Sequence, residues 1–533
     1  MVKGMGLRSL ECAALLVLAL VSVAAAQPGS NSYERSVLAI QEQIQSGNLD
    51  KAHAPALKAE QAYPSNGGLE NLQGVIAIQH GDFEEAEKEF SAAIRHSPRL
   101  TSAYLNLGRI FIENAAHDPD AKSKALHIYE RALAITPENA EANYYAALLL
   151  LREGKFGLSL QHLASLGPDE KQRIGALVIA CADEAGIGHV IGAERNAAAL
   201  AAMADLAETD VVETMPALLA ARRADLADRL LSAVASHQAL SAAGLRILGL
   251  AQEAEGKLPV AQETLERAFA SDSASKTILV DLARVAEARN DYTGALGYLA
   301  HARDIDPKDA NLPYRFGAIC LKLSLLSESR KALSEAVRME PENADYNYAL
   351  GTVTIFAQNP SEALPYLTKF HALRPRDKAG ILALGTTYFR AKDFESALPW
   401  LNQAAGNPGT AATALYYLGR IDRQEGRQDE ALAKLTRAAA LDPSQPDLFA
   451  ELGQLYLQMK RFTEAEKQLN RAAALDSENY AANFGLLQLY ARTGDPRREE
   501  QSKSFESIKQ KNEEQLREAM RVLEIHPLSD PAK

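Results

Sequence analysis

Cysteine, tryptophan and long apolar runs are all scarce in this chain. Three cysteines and one tryptophan occur in 533 residues, and aromatic residues make up only 6%. Three cysteines without a CxxC pair exclude a disulfide scaffold and a cysteine-rich zinc site. The shortage of aromatic and β-branched residues beside abundant alanine favours helices over sheets. Positive charge is also in deficit: 57 Lys and Arg face 69 Asp and Glu, for a net charge of −12. Such a chain repels a phosphate backbone, and no basic stripe with interleaved aromatics offsets this, which argues against nucleic acid as a partner. A hydrophobic content of 47% is ordinary and rules out wholesale disorder.

Catalytic patterns are missing too. No GxGxxG, phosphate-binding loop, HExxH or GxSxG occurs. The eleven histidines are scattered, and His117 with Asp118 and Asp120 comes nearest to a metal cluster. A solvated acidic loop explains those three as well. Catalytic, cofactor and metal residues are therefore all assigned as none. Cys181 and Cys320 are far apart in the chain and are expected inside, as small hydrophobes.

The N-terminal stretch 1–26 reads as an address. Lys3 and Arg8 precede a short apolar run, Ala13 to Val23, and Ala24-Ala25-Ala26 supplies small residues before Gln27. This pattern predicts a secretory signal peptide cleaved near Ala26–Gln27, and a periplasmic or secreted product. A retained anchor is the competing reading, but the run is short of the ~20 residues a spanning helix needs. No later apolar run reaches that length.

Length alone suggests several domains, at roughly 150 residues each, but a repeat replaces that estimate. Gly81-Asp82-Phe83, Ala86, Phe90, Ala93 and Pro98 share their spacing with Asn290-Asp291-Tyr292, Ala295, Leu299, Ala302 and Pro307. The terminating position falls at Pro64, Pro98, Pro137, 171, 205, 239, 273, Pro307, Pro341, Pro375, 409, Pro443 and 477. The 34-residue interval between these positions is broken only at the second step, which carries five extra residues near 114–122. Leu107-Gly108, Leu350-Gly351, Leu384-Gly385, Leu418-Gly419 and Leu452-Gly453 mark the first half of the unit. This pattern resembles the tetratricopeptide repeat over about residues 33–511, in an exported, bacterial-type member.

The resemblance implies an all-α fold: a right-handed α-solenoid superhelix of about 13–14 helix hairpins ending in a capping helix. N-terminal repeats are assigned to 33–170 and a C-terminal array to 241–496. Between them, 171–240 has poor signature residues but keeps the 34-residue phase. It reads as degenerate repeats, with an inserted helical domain as the alternative, and it is either a hinge or simply a tolerant stretch. Residues 497–524 form a charged helix with Phe505, Ile508, Leu516, Met520 and Leu523 on one stripe. It caps the array or serves self-association, and 525–533 is a disordered tail.

In this family the first helices of the units line a concave groove that grips protein or peptide segments. Counting from Leu-Gly places Tyr144, Arg284, Tyr314, Lys322, Tyr348, Phe356, Phe389, Arg390, Tyr416, Arg420 and Arg423 there. Phe356 and Phe389 can equally finish packing between helices, and Arg420 and Arg423 can belong to a solvated face. The cluster from Arg284 to Arg423 would suit a segment carrying acidic groups. Tyr314, Tyr348, Leu382 and Tyr416 stand where one family variant keeps a carboxylate-clamping lysine, which argues against a chaperone-tail receptor. The resulting expectation is a non-catalytic scaffold that binds a protein partner within the cell envelope, with an envelope complex as one such partner. A role in polysaccharide export and an unrecognised groove enzyme are the alternatives.

Overall fold

The computed structural model describes residues 30–46, 49–116, 118–356 and 360–519. The leader 1–26, His117, Met520, Leu523 and the tail 525–533 lie outside the described residues, as does the side chain of Leu516. The described residues are helical, joined by short turns, and divide into two compact units, Met1–Ala261 and Gln262–Lys533.

In each unit consecutive helices pair as antiparallel hairpins, and each hairpin packs on the next. The N-terminal unit contains the hairpins Gly67–Gln79 with Phe83–His96, Thr101–Glu113 with Ala121–Ile135, and Ala140–Arg152 with Phe156–Ala164. In the C-terminal unit the pairs include Lys378–Arg390 with Phe394–Ala405, and Ala411–Gln424 with Gln428–Leu441. This is the all-α architecture of stacked hairpins.

The repeat's residue types have local causes. Gly81, Gly154, Gly188, Gly256, Gly426 and Gly494 all have positive φ, and so do Arg222, Asn290, Ser324, Lys392 and Lys460. All of them occupy the same place in the repeat register, the turn from one helix to the next. One residue in the left-handed conformation reverses the chain there, which glycine adopts without strain. Next to it Asp82, Asp291 and Asp393 cap the following helix, accepting from the backbone N–H of Glu85, Gly294 and Ser396. The five-residue insertion replaces this device with a 3-10 turn, Asn114–Ala116.

Small residues on first helices receive large ones from second helices. A Cβ built on Gly108 would lie 2.6 Å from the Tyr129 ring, and on Gly453 2.5 Å from Leu469 Cγ. Gly351 meets Leu367, Gly385 meets Leu401 and Gly419 meets Leu435 in the same manner. Each of these hairpins is therefore closed by one knob in one hole.

The stretch 171–240 keeps the register, since Gly188, Arg222 and Gly256 make the turn at successive repeat periods. Ile174–Gly186 pairs with Val190–Ala201 as an ordinary hairpin. The next first helix is broken into Glu208–Val211, the 3-10 turn Val212–Thr214 and Met215–Ala220, before Ala224–Ala235 completes the unit. Pro216 offers no N–H to a continuous helix at that point. At the other end, Arg498–Ala519 packs on Tyr480–Thr493, with the Phe505 ring 4.9 Å from Tyr480 and 5.4 Å from Phe484.

Candidate functional site

The first helices of four successive hairpins in the N-terminal unit enclose a cleft of ≈ 570 Å³. Ile78 comes from Gly67–Gln79, Arg109 and Ile112 from Thr101–Glu113, Tyr144 and Tyr145 from Ala140–Arg152, and Ala176 from Ile174–Gly186. Its walls are mainly apolar. Tyr144 and Tyr145 meet edge to face at 5.3 Å, and Tyr145 stacks on the fully buried Tyr129 at 5.3 Å. That support holds the rings in place, so the wall is formed before any ligand arrives.

Charge enters the cleft in a fixed arrangement. Arg109 donates from Nε and Nη2 to both oxygens of Glu141, at 2.6 and 2.5 Å. This two-pronged pair lines the cleft and is worth more than a single exposed ion pair. Glu113 stands at the rim, where partial loss of solvent raises its carboxyl above the ordinary range, against the opposing pull of Arg109. Arg173 and Glu170 stand 3.8 Å apart on the opposite side, the arginine largely in water.

Of the groove residues expected from sequence, Tyr144 alone lines this cleft. The others lie in the C-terminal unit, and the structure brings four of them together. Arg420 stacks over Phe389, Tyr416 and Tyr417 at 4.9, 5.3 and 5.9 Å. Arg423 Nε donates to Glu451 at 2.5 Å, and Arg420 Nε stands 3.6 Å from the same carboxylate. Phe389 is buried, so it takes the packing role. Phe356, by contrast, is 54% exposed. Burial raises the Tyr416 hydroxyl well above its usual range, with Glu451 and Asp447 adding and Arg420 opposing.

The remaining positions stay separate. Tyr314 packs on Tyr346 at 4.8 Å and Tyr348 on Phe370 at 4.8 Å. Lys322 reaches Glu287 at 2.6 Å and Arg284 reaches Asp281 at 3.0 Å, while Arg390 is exposed at the end of its helix. The cations that looked like a positive cluster in sequence mostly face carboxylates of their own chain. Glu451 and Asp281 lie on inner helix faces, where spacing alone does not reveal which arginine they meet. Arg109, Glu141 and Tyr145 were missed for a related reason: they come from two successive first helices, and counting from Leu-Gly singled out one residue of the wall.

Among the described residues no group of three or more His, Cys, Asp or Glu is placed to hold a metal ion. Cys181 and Cys320 are buried and unbridged, and burial pushes both thiols up to about 12. Neither is a poised nucleophile. No helix among the described residues is long and apolar enough to cross a membrane.

Comparison with known proteins agrees with this architecture. Tetratricopeptide repeat models match residues 71–118, 122–170, 248–310, 355–412 and 451–501, and a further TPR repeat model matches 419–460. These segments span more than half of the chain. The chain belongs to the tetratricopeptide repeat family. The matches stop at 170 and resume at 248, so the stretch with the broken helix is also where the TPR signature fades. Among solved structures, Cut9–Hcn1 of the APC/C is similar at 14% identity and a TM-score of 0.36, over 86% of this chain and 96% of that one. Yeast Tom70 is similar at 16% identity and a TM-score of 0.36, over 86% and 94%. YrrB, a TPR protein with an unusual peptide-binding site, is similar at 22% identity and a TM-score of 0.26, over 42% and 96%. No curated protein matched the TPR chain in sequence.

Proposed function

We propose that this TPR protein is a non-catalytic scaffold that grips a segment of another protein in the N-terminal cleft. One observation carries the reading: four consecutive first helices build an apolar cleft of ≈ 570 Å³ whose tyrosine wall is held by a buried ring behind it. Rigid aromatic walls of this kind supply most of the energy of a protein contact, because little motion is lost when they are covered. A volume of this size admits one or two large side chains of a partner, with the remainder of its segment lying across the neighbouring first helices. The Arg109–Glu141 fork and the rim groups Glu113 and Arg173 would then orient the segment. Arg284 and Arg423 of the C-terminal unit are matched by Asp281 and Glu451, so they support an acidic partner less well than the sequence suggested. The signal-like N-terminus supports export of the scaffold to the cell envelope, which predicts a mature protein beginning at Gln27 by intact mass.

The cleft is tested by a photo-crosslinking side chain placed at Tyr145, compared with one at the exposed Glu87 on a second helix. Discrete adducts are expected from position 145 and not from 87. Tyr144→Ala should lower their yield by about tenfold or more, the usual loss at a central interface aromatic. Equal adducts from both positions, or a yield unchanged by Tyr144→Ala, would overturn the reading.

A further inference from the structure

The helix Ile174–Gly186 supplies Gly175 and Ala176 to the cleft wall, and further along it carries Asp183. Asp183 is fully buried, and neither of its carboxylate oxygens has a hydrogen-bond partner. The Ser159 hydroxyl close to it donates instead to the Ala147 carbonyl at 2.8 Å. Position 183 is apolar in the other units: the repeat register places Ile110, Leu149, Val285, Ile319, Val353 and Ile421 there, all buried. Thr387 is the polar exception, and its hydroxyl is satisfied by the Ala383 carbonyl at 2.6 Å. Asp183 thus introduces a carboxyl, with only the nearby Ser159 hydroxyl to offset its burial, at a place the fold otherwise fills with aliphatic side chains. Burying an unpaired carboxylate is among the costliest substitutions a core can carry.

Titratable groups on the elements packed against this helix do not relieve it. They are Glu141, Tyr144, Tyr145 and Arg152 on Ala140–Arg152, His162, Glu194 and Arg195, with Asp169, Glu170 and Lys171 before the helix. The broken helix adds Glu208, Asp210 and Glu213. None of them forms a hydrogen bond or an ion pair with Asp183. Several are engaged elsewhere, such as Arg152 with Glu213 at 2.6 Å and His162 with Asn143 at 3.0 Å. Glu184, beside it in sequence, adds a like charge.

We propose that Asp183 makes the helix Ile174–Gly186 a protonation-controlled joint. The helix packs against its neighbours while the carboxyl is neutral, and it opens locally when the carboxylate forms. The adjoining Met215–Ala220, one of three short pieces of a broken helix, packs on Ile174–Gly186 and is expected to loosen with it. The consequence for the cleft rests on the binding reading above; the opening itself does not.

The direction follows from proton linkage. Burial raises the carboxyl to about 7, with Glu184 adding and the Ser159 hydroxyl opposing. In an opened or unfolded chain an aspartate titrates near ~3.9. Between these values the closed form holds a proton that the open form has lost, so the closed form weakens as pH rises and levels off above about 7. It is strongest in acid, the reverse of an ion-paired aspartate.

Hydrogen exchange of the full chain between pH 5.5 and 8, corrected for intrinsic rates, tests this. Protection of peptides covering 174–186 and 215–220 should fall on the order of 30-fold across that range in the wild type. The control helix Ala411–Gln424 should not change. Asp183→Leu should abolish the pH dependence, and Asp183→Asn, nearly isosteric and uncharged, should do the same if the leucine variant does not fold. A wild type without the dependence, or neutral variants that retain it, would overturn the proposal. Since the readout needs no partner, an empty cleft would leave it standing, and failed exchange would leave the cleft standing.

Discussion

Asparagine recurs at one inner position of the repeat, and the reason is a backbone carbonyl. Asn143, Asn347 and Asn483 each donate to the carbonyl six residues back, in Pro137, Pro341 and Ser477, at 2.8, 2.9 and 3.0 Å. Each donates again four residues back, which ties the start of a first helix to the turn before it. Tyr104 performs the first of these tasks in its own unit, reaching Pro98 O at 3.0 Å. One residue type therefore substitutes for another because the acceptor, not the side chain, is constant. Asn347→Ala should cost about 0.5–1.5 kcal/mol, the usual net contribution of an intramolecular hydrogen bond. Urea unfolding followed by Trp400 fluorescence reads that loss from the same unit. A cost within error of zero would mean that water serves these carbonyls equally well.

At the level of the element, the turn inside each hairpin matters more than the helices it joins. Six of its occurrences use glycine, whereas Arg222, Asn290, Ser324, Lys392 and Lys460 hold the same positive φ with a Cβ present. That conformation costs a side-chain-bearing residue about 1–2 kcal/mol, partly offset by the ~0.5–1 kcal/mol that glycine loses in backbone freedom. Lys460→Gly should therefore stabilise the C-terminal unit by about 0.5–1 kcal/mol, read as a raised urea midpoint at unchanged slope. A lowered midpoint would show that the lysine contributes something its exposure does not suggest. The turns were legible in sequence as Gly-Asp-Phe at 81–83 and Asn-Asp-Tyr at 290–292; those at Arg222, Ser324 and Lys460 were visible only as spacing. On the C-terminal helix Arg498–Ala519, Phe505 and Ile508 are both buried, and the helix packs on Tyr480–Thr493.

For the molecule as a whole, each hairpin draws its stability from its neighbours, so the chain need not unfold in one step. Its single tryptophan, Trp400, sits in the C-terminal unit with its ring 4.8 Å from His371, whereas helical ellipticity reports every unit. Fluorescence and ellipticity curves in urea should not coincide. At pH 8 relative to pH 5.5 the ellipticity curve should shift to lower urea through Asp183, with the fluorescence curve moving less. Coincident curves at both values would mark the array as one cooperative block.

Spacing determined the repeat period, the family it resembles implied the helical hairpins, and the knob-in-hole pairs such as Gly453 with Leu469 follow within each hairpin. Those contacts join residues close in the chain, and a period repeated many times leaves no second way to stack them. The register also carried through 171–240, although the residue types there had faded. What needed the tertiary structure was every contact between units. Spacing put Arg420 and Arg423 on an open positive face, while the fold sets Glu451 from the next hairpin against them. It singled out one tyrosine of the cleft, because the wall is assembled from four first helices and no single unit contains it. It did not single out Asp183 within the weak stretch 171–240. Only burial distinguishes a carboxylate facing water from one that must keep its proton to let the helix close.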